Sequence, residues 1–170
     1  MKRVMIIGCS GSGKSSLALK LGEKTGLPVV HMDQLYWQPK WVMRSDEAIS
    51  ELVADAISRD TWIFDGNYSR NFNERAARSD TIIFLDIPRW LCLFRVTKRA
   101  LSQLGKSRSD MADDCPERID GAFWEFLKFI YNYPANGRLR ALKLLEEAPE
   151  NAAVFHLRTR SDVDQFLHSV

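Results

Sequence analysis

The sequence predicts an α/β domain in which a five-stranded parallel sheet carries helices on both of its faces. Short apolar runs rich in Val, Ile and Phe alternate along the chain with longer segments whose apolar residues recur at helical spacing. This alternation is typical of parallel sheets, because a helix carries the chain back over the sheet before the next strand begins. The chain has 170 residues, with no internal repeat and no linker, and single domains contain roughly 100–200 residues. We therefore expect one domain over residues 1–170.

Five short apolar runs are predicted to form the strands. The first is rich in β-branched residues and ends at Gly8, and the next three end at Asp33, Asp65 and Asp86. Runs of this length bounded by turn-forming residues are typical of buried strands. The predicted strands are residues 4–7, 28–32, 62–64, 81–85 and 152–157.

Helical spacing of apolar residues predicts the segments between the strands. Leu17, Ala18 and Leu21 mark the first helix, and Ser45 is the candidate N-cap of the second. The predicted helices are residues 15–24, 46–59, 89–104, 122–133, 138–147 and 161–167, the last capped by Ser161.

Two connecting segments lack this regularity. Residues 34–45 are polar and aromatic, and we expect the wider stretch 34–60 to cover a substrate. Residues 105–121 form a long loop with charges of both signs, and loops of that length in compact domains are usually functional. We expect residues 105–121 to act as a short lid.

Composition excludes several classes of protein. The chain has 24 Lys and Arg against 22 Asp and Glu, a net charge of +2, so a nucleic-acid role would need a local basic patch. The three cysteines have no CxxC or Cys/His spacing, which argues against a disulfide framework or a zinc site. No apolar run approaches the roughly 18 residues of a membrane span. We expect a soluble cytoplasmic protein.

A glycine-rich segment follows the first strand. Residues 8–15 read GCSGSGKS and match the pattern GxxxxGK[ST] without a gap. In this pattern backbone N–H groups converge on phosphate oxygens, Lys14 reaches the β- and γ-phosphates, and the Ser15 hydroxyl ligates Mg²⁺. A simple glycine turn is the alternative, but the position between a strand and a helix favours a phosphate-binding loop (P-loop). The motif predicts a P-loop NTPase fold that uses ATP and Mg²⁺. The expected nucleotide-binding residues are Gly8, Gly11, Ser12, Gly13, Lys14, Ser15 and Ser16.

Aspartates end three of the predicted strands. Because the carboxyl ends of parallel strands lie at one edge of the sheet, Asp33, Asp65 and Asp86 are all candidates to face the phosphate loop. Asp65 precedes Gly66, which permits close approach of a ligand, and is therefore the better Mg²⁺ candidate. Asp33 precedes the aromatic segment and is the candidate to position or deprotonate a phosphate acceptor. The alternative is that these side chains cap turns, most of all Asp86, since Pro88 already marks a turn.

Basic residues are concentrated between positions 87 and 109. Six are present there without an acidic residue, and Arg95 and Arg99 share a helix face. Arginines commonly stabilise the charge that develops during phosphoryl transfer, so this pair is a candidate phosphate-binding site. A solvated helix face and a DNA-binding patch are the alternatives. The six residues are Arg89, Arg95, Lys98, Arg99, Lys106 and Arg108.

Three aromatic residues follow Asp33. Tyr36, Trp37 and Trp41 are suited to stacking on a base or closing over a small acceptor. Packing of an irregular loop onto the core is the alternative interpretation.

These segments together resemble a known family. GCSGSGKS, HMDQLYW, WIFDGNYSR, TIIFLDIPRW and GKSRSDMADDCPER are similar to the bacterial DNA topology modulation proteins (the FlaR-like family), which themselves resemble adenylate kinase and other small P-loop kinases. The resemblance extends over nearly the whole chain. It implies phosphate transfer from ATP to a small acceptor, either a nucleotide, a nucleoside or a small alcohol or acid. The alternative is an ATP-dependent regulator of DNA topology that binds DNA or a protein partner and has weak ATPase activity.

The likeness to adenylate kinase implies roles for particular residues. Asp65 with Gly66 resembles the Asp-Gly pair linked to Mg²⁺ and acceptor binding, and Arg95 and Arg99 resemble helix arginines that approach ATP. DGNYSR lacks the Phe-Pro-Arg order of adenylate kinase, so the acceptor stays open. No recognised DNA-binding module is present, and both a monomer and a homodimer fit the sequence. The expected catalytic residues are Lys14, Asp33, Arg95 and Arg99, the expected substrate-binding residues are Asp33, Tyr36, Asp65, Arg70 and Arg138, and the expected metal ligands are Ser15 and Asp65.

Overall fold

The computed structural model describes residues 1–170 and contains a five-stranded sheet and a separate two-stranded hairpin. In chain order the strands are β1 (Arg3–Gly8), β2 (Val29–His31), β3 (Trp37–Gln38), β4 (Val42–Met43), β5 (Trp62–Asp65), β6 (Thr81–Leu85) and β7 (Ala153–Leu157). The helices are α1 (Lys14–Thr25), α2 (Met32–Tyr36), α3 (Asp46–Ser58), α4 (Phe72–Arg78), α5 (Arg89–Ser102), α6 (Gly121–Asn132), α7 (Gly137–Glu146) and α8 (Arg160–Ser169).

The large sheet is parallel throughout and has the strand order β2-β5-β1-β6-β7. This arrangement confirms the predicted five-stranded parallel sheet. The central strand, β1, is buried from Val4 to Gly8 and leads directly into the glycine-rich segment. The phosphate loop therefore leaves the sheet at its middle, where neighbouring strand ends surround it on both sides.

Helices cover both faces of the sheet, as predicted. The two-residue period of β1 explains how both layers are held: Val4 and Ile6 pack with α1, α5, α6 and α8, whereas Met5 and Ile7 pack with α3, α4 and α7. Both sets of side chains are fully buried. Burial of each such side chain contributes about 1.5–3 kcal/mol, so this strand anchors both hydrophobic layers.

The structure differs from the sequence prediction between residues 31 and 45. The second strand ends at His31 rather than Met32, and Met32–Tyr36 form a short helix followed by the β3–β4 hairpin. A five-residue helix is too short to show a period in the sequence, and two-residue strands show none.

Helix α4 was not predicted at all, and α8 begins one residue earlier than predicted. Helix α4 has Arg75, a charged residue, at a fully buried position, which obscured its apolar face. Helix α8 begins at Arg160 because Thr159, rather than Ser161, accepts a hydrogen bond from the Asp162 N–H in a capping box.

The predicted lid, residues 105–121, packs on residues 34–43, which contain the β3–β4 hairpin and are called the hairpin segment below. Gln34 Nε2 donates to the Ser109 carbonyl over 2.7 Å, Lys40 N–H donates to the Asp114 carbonyl over 2.9 Å, and Trp41 Nε1 donates to the Pro116 carbonyl over 3.0 Å. The two segments expected to cover a substrate are thus in direct contact with each other.

None of the helices has both the length and the apolar character needed to cross a membrane.

Candidate functional site

The phosphate loop is built from glycines in backbone conformations that other residues rarely adopt. Gly11 has a φ of 81° and Gly13 a φ of 103°, both in the left-handed region. A Cβ atom at Gly11 would lie 2.6 Å from the carbonyl oxygen of Cys92. The loop approaches the backbone of α5 this closely because Gly11 has no side chain. Gly13 caps α1 without a side-chain hydrogen bond, and the first N–H groups of the helix are therefore left for another acceptor.

A cleft of about 840 Å³ opens over this loop. Five basic side chains line it against two carboxylates, so its field is positive and suits a polyphosphate. Lys14 Nζ donates to the Cys9 carbonyl over 3.1 Å, and Arg95 Nη1 donates to the Ser12 carbonyl over 3.1 Å. The charged lining residues are Lys14, Arg95, Arg99, Lys106, Arg108, Asp33 and Asp110.

Most of the nucleotide-binding and catalytic residues expected from the sequence meet in this cleft. The residues that line it are Gly11, Gly13, Lys14, Ser15, Ser16, Asp33, Arg95 and Arg99. Gly8 and Ser12 lie beneath the loop surface, where the Ser12 hydroxyl is buried without a hydrogen-bond partner. The fold therefore brings Asp33 and the α5 arginines, far apart in sequence, to one surface.

Asp33 lies on the wall of the cleft, with its carboxylate open to the cavity. The protein surrounding the cleft displaces water and raises the pKa of Asp33. Lys14 and Arg108 oppose this change, whereas Asp65 and Asp110 reinforce it. A carboxylate that holds a proton more readily than usual is suited to accept one from a substrate hydroxyl.

A second cavity of about 330 Å³ adjoins the first. Its apolar wall is formed by Trp37 and Trp41 from the hairpin segment, Met111 from the lid, and Phe123 and Phe126 from α6. The indoles of Trp37 and Trp41 pack edge to face with centroids 5.3 Å apart. The residues common to both cavities are Ser10, Asp33, Arg99, Arg108 and Phe126.

Asp65 lies deeper than the sequence analysis expected. It is the register partner of His31 on the adjacent strand, and its Oδ2 lies 2.9 Å from His31 Nδ1. Its Oδ1 is buried without a partner in the protein. Burial by itself lowers the pKa of His31, but the hydrogen bond and charge of Asp65, together with nearby Asp110 and Asp33, raise it overall. Asp65 lines neither cavity, but it is close enough for its charge to raise the pKa of Asp33.

Besides Asp65, three expected substrate-binding residues are not brought into either cavity. Tyr36 donates its hydroxyl hydrogen to the sulfur of Met43, and Arg70 forms an exposed ion pair with Asp46 at 2.8 Å. Arg138 forms a bidentate pair with Asp86, with N–O distances of 2.8–3.0 Å.

The Asp86 carboxylate is paired with two side chains, Arg138 and His156. Burial raises the pKa of its carboxyl group, but the hydrogen bonds from Arg138 and His156 outweigh burial and lower it overall. The carboxylate ties the end of β6 to α7 and β7 through these side chains, rather than capping the turn near Pro88 as the alternative supposed.

Asn67 is a site residue that sequence reasoning missed. Its Oδ1 accepts the N–H of Gly8 over 3.2 Å, and its Nδ2 donates to the Gly8 carbonyl over 2.5 Å. The fully buried Arg75 supports the segment that carries it by donating to the carbonyls of Gly66 and Tyr68. The side chain of Asn67 thus fixes the first residue of the phosphate loop. Its only sequence signal was its position after Asp65-Gly66.

We predict that Asn67→Asp weakens ATP binding. The substitution removes the donor to Gly8, sets a carboxylate against a carbonyl oxygen and adds negative charge beside the phosphate loop. We expect the Kd for ATP to rise about 10-fold, equivalent to about 1.4 kcal/mol. Calorimetric titration measures this, with Asn73→Asp on the exposed face of α4 as the matched control. Equal affinities in the two variants would contradict the role assigned to Asn67.

We predict that the His31–Asp65 pair stabilises the fold more at acidic than at alkaline pH. Because folding raises the pKa of His31, its contribution is complete below its usual pKa of 6.5 and is lost as the pH rises through the folded value. The loss of unfolding free energy in His31→Gln should therefore be larger at about pH 6 than at about pH 9. Urea unfolding measures it, with the exposed His168→Gln as control. A loss independent of pH would contradict the assignment.

The overall fold matches those of several solved kinases. A sugar kinase from Janibacter sp. HTCC2649 is 18% identical with a TM-score of 0.50, and the match covers 99% of this chain and 91% of that one. Deoxyadenosine kinase from M. mycoides with bound dATP is 15% identical with a TM-score of 0.50, covering 99% and 98%. Shikimate kinase from Acinetobacter baumannii in complex with shikimate is 12% identical with a TM-score of 0.57, covering 99% and 90%.

No protein-family model and no curated protein matches the sequence. At these low identities the structural matches establish the fold alone. The chain has the α/β fold of small P-loop kinases, with a five-stranded parallel sheet between helices.

Proposed function

We propose that this protein is an ATP-dependent phosphotransferase that transfers the γ-phosphate of Mg-ATP to a hydroxyl group of a small molecule. One observation carries the proposal: a positively charged cleft over the phosphate loop opens beside a smaller, aromatic-walled cavity, and Asp33, Arg99 and Arg108 line both. A phosphate donor in the first cavity and an acceptor in the second would meet at a carboxylate and two arginines. This is the arrangement that phosphoryl transfer requires.

Each group at the junction has a chemical role. The oxygen of the acceptor hydroxyl forms a bond to the γ-phosphorus, the bond from that phosphorus to the β–γ bridging oxygen breaks, and ADP leaves. The Asp33 carboxylate positions the hydroxyl and accepts its proton. Lys14 and Arg95, which form no ion pair with a carboxylate, offset the negative charge on the transferring group, and Arg99 adds the N–H donors that its pair with Glu117 leaves free.

The residues present fit a magnesium ion at the phosphates. Ser15 lines the cleft next to Lys14, as do Asp33 and Asp110. Asp65 lies outside the cleft lining, and its buried Oδ1 has no partner in the protein. Mg²⁺ is normally held by one or two carboxylates or hydroxyls together with the substrate phosphates, so no closed protein cage is needed. We propose Ser15 and Asp65 as its protein ligands, with Asp65 acting through water. When bound, Mg²⁺ neutralises phosphate charge during transfer.

The lid and the hairpin segment exclude water in this proposal. They are hydrogen-bonded to each other, and both line the cavities: the hairpin segment contributes Trp37 and Trp41 to the second cavity, and the lid contributes Arg108 to both. Water competes with the acceptor hydroxyl for the γ-phosphate, so a covered site favours transfer over hydrolysis.

The acceptors named for the structural neighbours, a sugar, deoxyadenosine and shikimate, differ chemically, so the fold does not select among them. We retain the resemblance to DNA topology modulation proteins and to adenylate kinase, and a cytoplasmic location, as proposals from the sequence. The two adjoining cavities favour a small acceptor over DNA as the partner of ATP.

The proposal is tested by measuring ADP release from Mg-ATP in the presence of nucleosides, nucleoside monophosphates, sugars, sugar acids and duplex DNA. We expect one class of small molecule to raise ADP release and to appear as a phosphorylated product by mass spectrometry. Lys14→Ala should abolish this transfer, because the substitution removes the cation at the phosphate loop. Stimulation by DNA with no phosphorylated product would instead support the regulator alternative.

We predict that Asp33→Asn separates acceptor turnover from nucleotide binding. Loss of the proton acceptor should lower kcat by about 100-fold or more. The Kd for ATP should be little changed, and the melting temperature should not fall, because the exposed Asp33 carboxylate forms no ion pair or side-chain hydrogen bond whose loss would destabilise the fold. Asp60→Asn, on an exposed turn, is the matched control. If Asp33→Asn lost ATP affinity as severely as turnover, Asp33 would belong to the nucleotide site instead.

A further inference from the structure

We propose that the phosphate acceptor is an uncharged, hydroxylated ring compound, a nucleoside or a sugar, rather than a phosphorylated or carboxylated molecule. This inference rests on the proposed function and specifies its acceptor. It is carried by the way the charges of the second cavity are paired.

The second cavity is electrically balanced by its own side chains. Three arginines line it, and three carboxylates face them. The phosphate cleft, by contrast, has a clear excess of basic groups, and Arg95 there forms no ion pair with a carboxylate. The charged residues of the second cavity are Arg99, Arg108, Arg118, Asp33, Glu117 and Asp120.

Each of these arginines already has an acidic partner. Arg118 Nε lies 2.8 Å from Asp120 Oδ2 at the cavity rim. Arg99 Nε and Arg108 Nε lie 2.8 Å and 3.0 Å from the same Glu117 oxygen. Arg108 also pairs with Asp110 at 2.9 Å. An arriving phosphate or carboxylate would find no arginine in this cavity without a carboxylate beside it.

An acidic acceptor would therefore either add negative charge to a set of side chains that is already balanced or displace a protein carboxylate. Glu117 is only 8% exposed, and moving it away from two arginines would leave a buried charge without a partner. Such a group is costly, so the cavity discriminates against anions by charge as well as by shape. A hydroxyl group makes no such demand, because it donates to one carboxylate or accepts from one arginine without breaking the pair.

The apolar wall of the second cavity indicates that the acceptor also has an apolar surface. Trp37 and Trp41 present indole surfaces, and Met111, Phe123 and Phe126 complete a cavity of about 330 Å³, a size that suits a small ligand. Trp41 is held in place by its hydrogen bond to the Pro116 carbonyl and by the Arg118 guanidinium 5.6 Å from its ring centroid. Ring faces of nucleoside bases and the C–H faces of sugars both pack on such surfaces.

The experiment compares acceptors as matched pairs that differ in charge. The pairs are adenosine with AMP, glucose with glucose 6-phosphate, and methyl shikimate with shikimate. ADP release and phosphorylated product are followed for each, and the Kd is measured with a non-hydrolysable ATP analogue in place. We expect the neutral member of the pair that reacts best to show at least about 10-fold higher kcat/KM and tighter binding than its acidic partner. Comparison of the adenosine and glucose pairs distinguishes a nucleoside from a sugar acceptor.

Removal of one compensating carboxylate should relax this preference. In Asp120→Asn the side-chain oxygen still accepts the Phe123 N–H that caps α6, but Arg118 loses its ionic partner. We expect the acidic member of the pair to gain at least about 5-fold in affinity relative to its neutral partner. Asp113→Asn, on the exposed part of the lid, is the matched control and should leave the ratio unchanged.

The possible results separate the two proposals. A wild-type preference for the acidic member of a pair, or the absence of binding by any neutral member, overturns the inference of an uncharged acceptor. Transfer to an acidic acceptor would nevertheless uphold the proposed kinase function. Neutral members that bind without raising ADP release would uphold the charge preference of the cavity and overturn the kinase function. The wild-type comparison does not depend on whether a variant folds.

Discussion

The site depends on the close approach of the phosphate loop to α5. The loop leaves the middle of the sheet. Its backbone at Gly11 lies so close to the Cys92 carbonyl that any side chain there would clash. This contact fixes the distance between the loop and the helix that carries Arg95 and Arg99. At the start of the loop, the Asn67 side chain forms hydrogen bonds with both the backbone N–H and the backbone C=O of Gly8. The backbone proposed to bind the nucleotide and the arginines proposed to stabilise its charge are therefore positioned by the same packing contact rather than by separate flexible segments.

Electrostatics then divide this scaffold into two environments. The cleft over the loop keeps an excess of positive charge, whereas the adjoining cavity neutralises each arginine with an acid supplied mostly by the lid and the start of α6. Asp33 lies at the boundary, with its pKa raised by the loss of water around it and lowered in part by Lys14 and Arg108. A group poised between these influences is suited to taking up a proton at the point where the substrates meet.

Much of the sheet and of the phosphate site could be predicted from the sequence, because both rest on local patterns. Apolar runs identify strands, GCSGSGKS identifies the loop, and the four-residue spacing of Arg95 and Arg99 places both on one helix face. Contacts between distant residues have no such pattern. The bridge from Asn67 to Gly8 and the pairing of Arg138 with Asp86 span more than 50 residues of chain. The burial of Asp65 also depends on the register of β2 with β5, which only the assembled sheet determines.

The hydrogen bonds between the lid and the hairpin segment couple the movements of these two segments. Because Gln34 and Trp41 donate to lid carbonyls, neither cover can swing away alone without losing these bonds. In the proposed kinase, donor and acceptor would therefore share a single gate, and both products would wait for the same opening event. Motions of this kind occur in microseconds to milliseconds and often limit turnover. In the proposed kinase, opening of the two covers would then limit turnover in place of the transfer step.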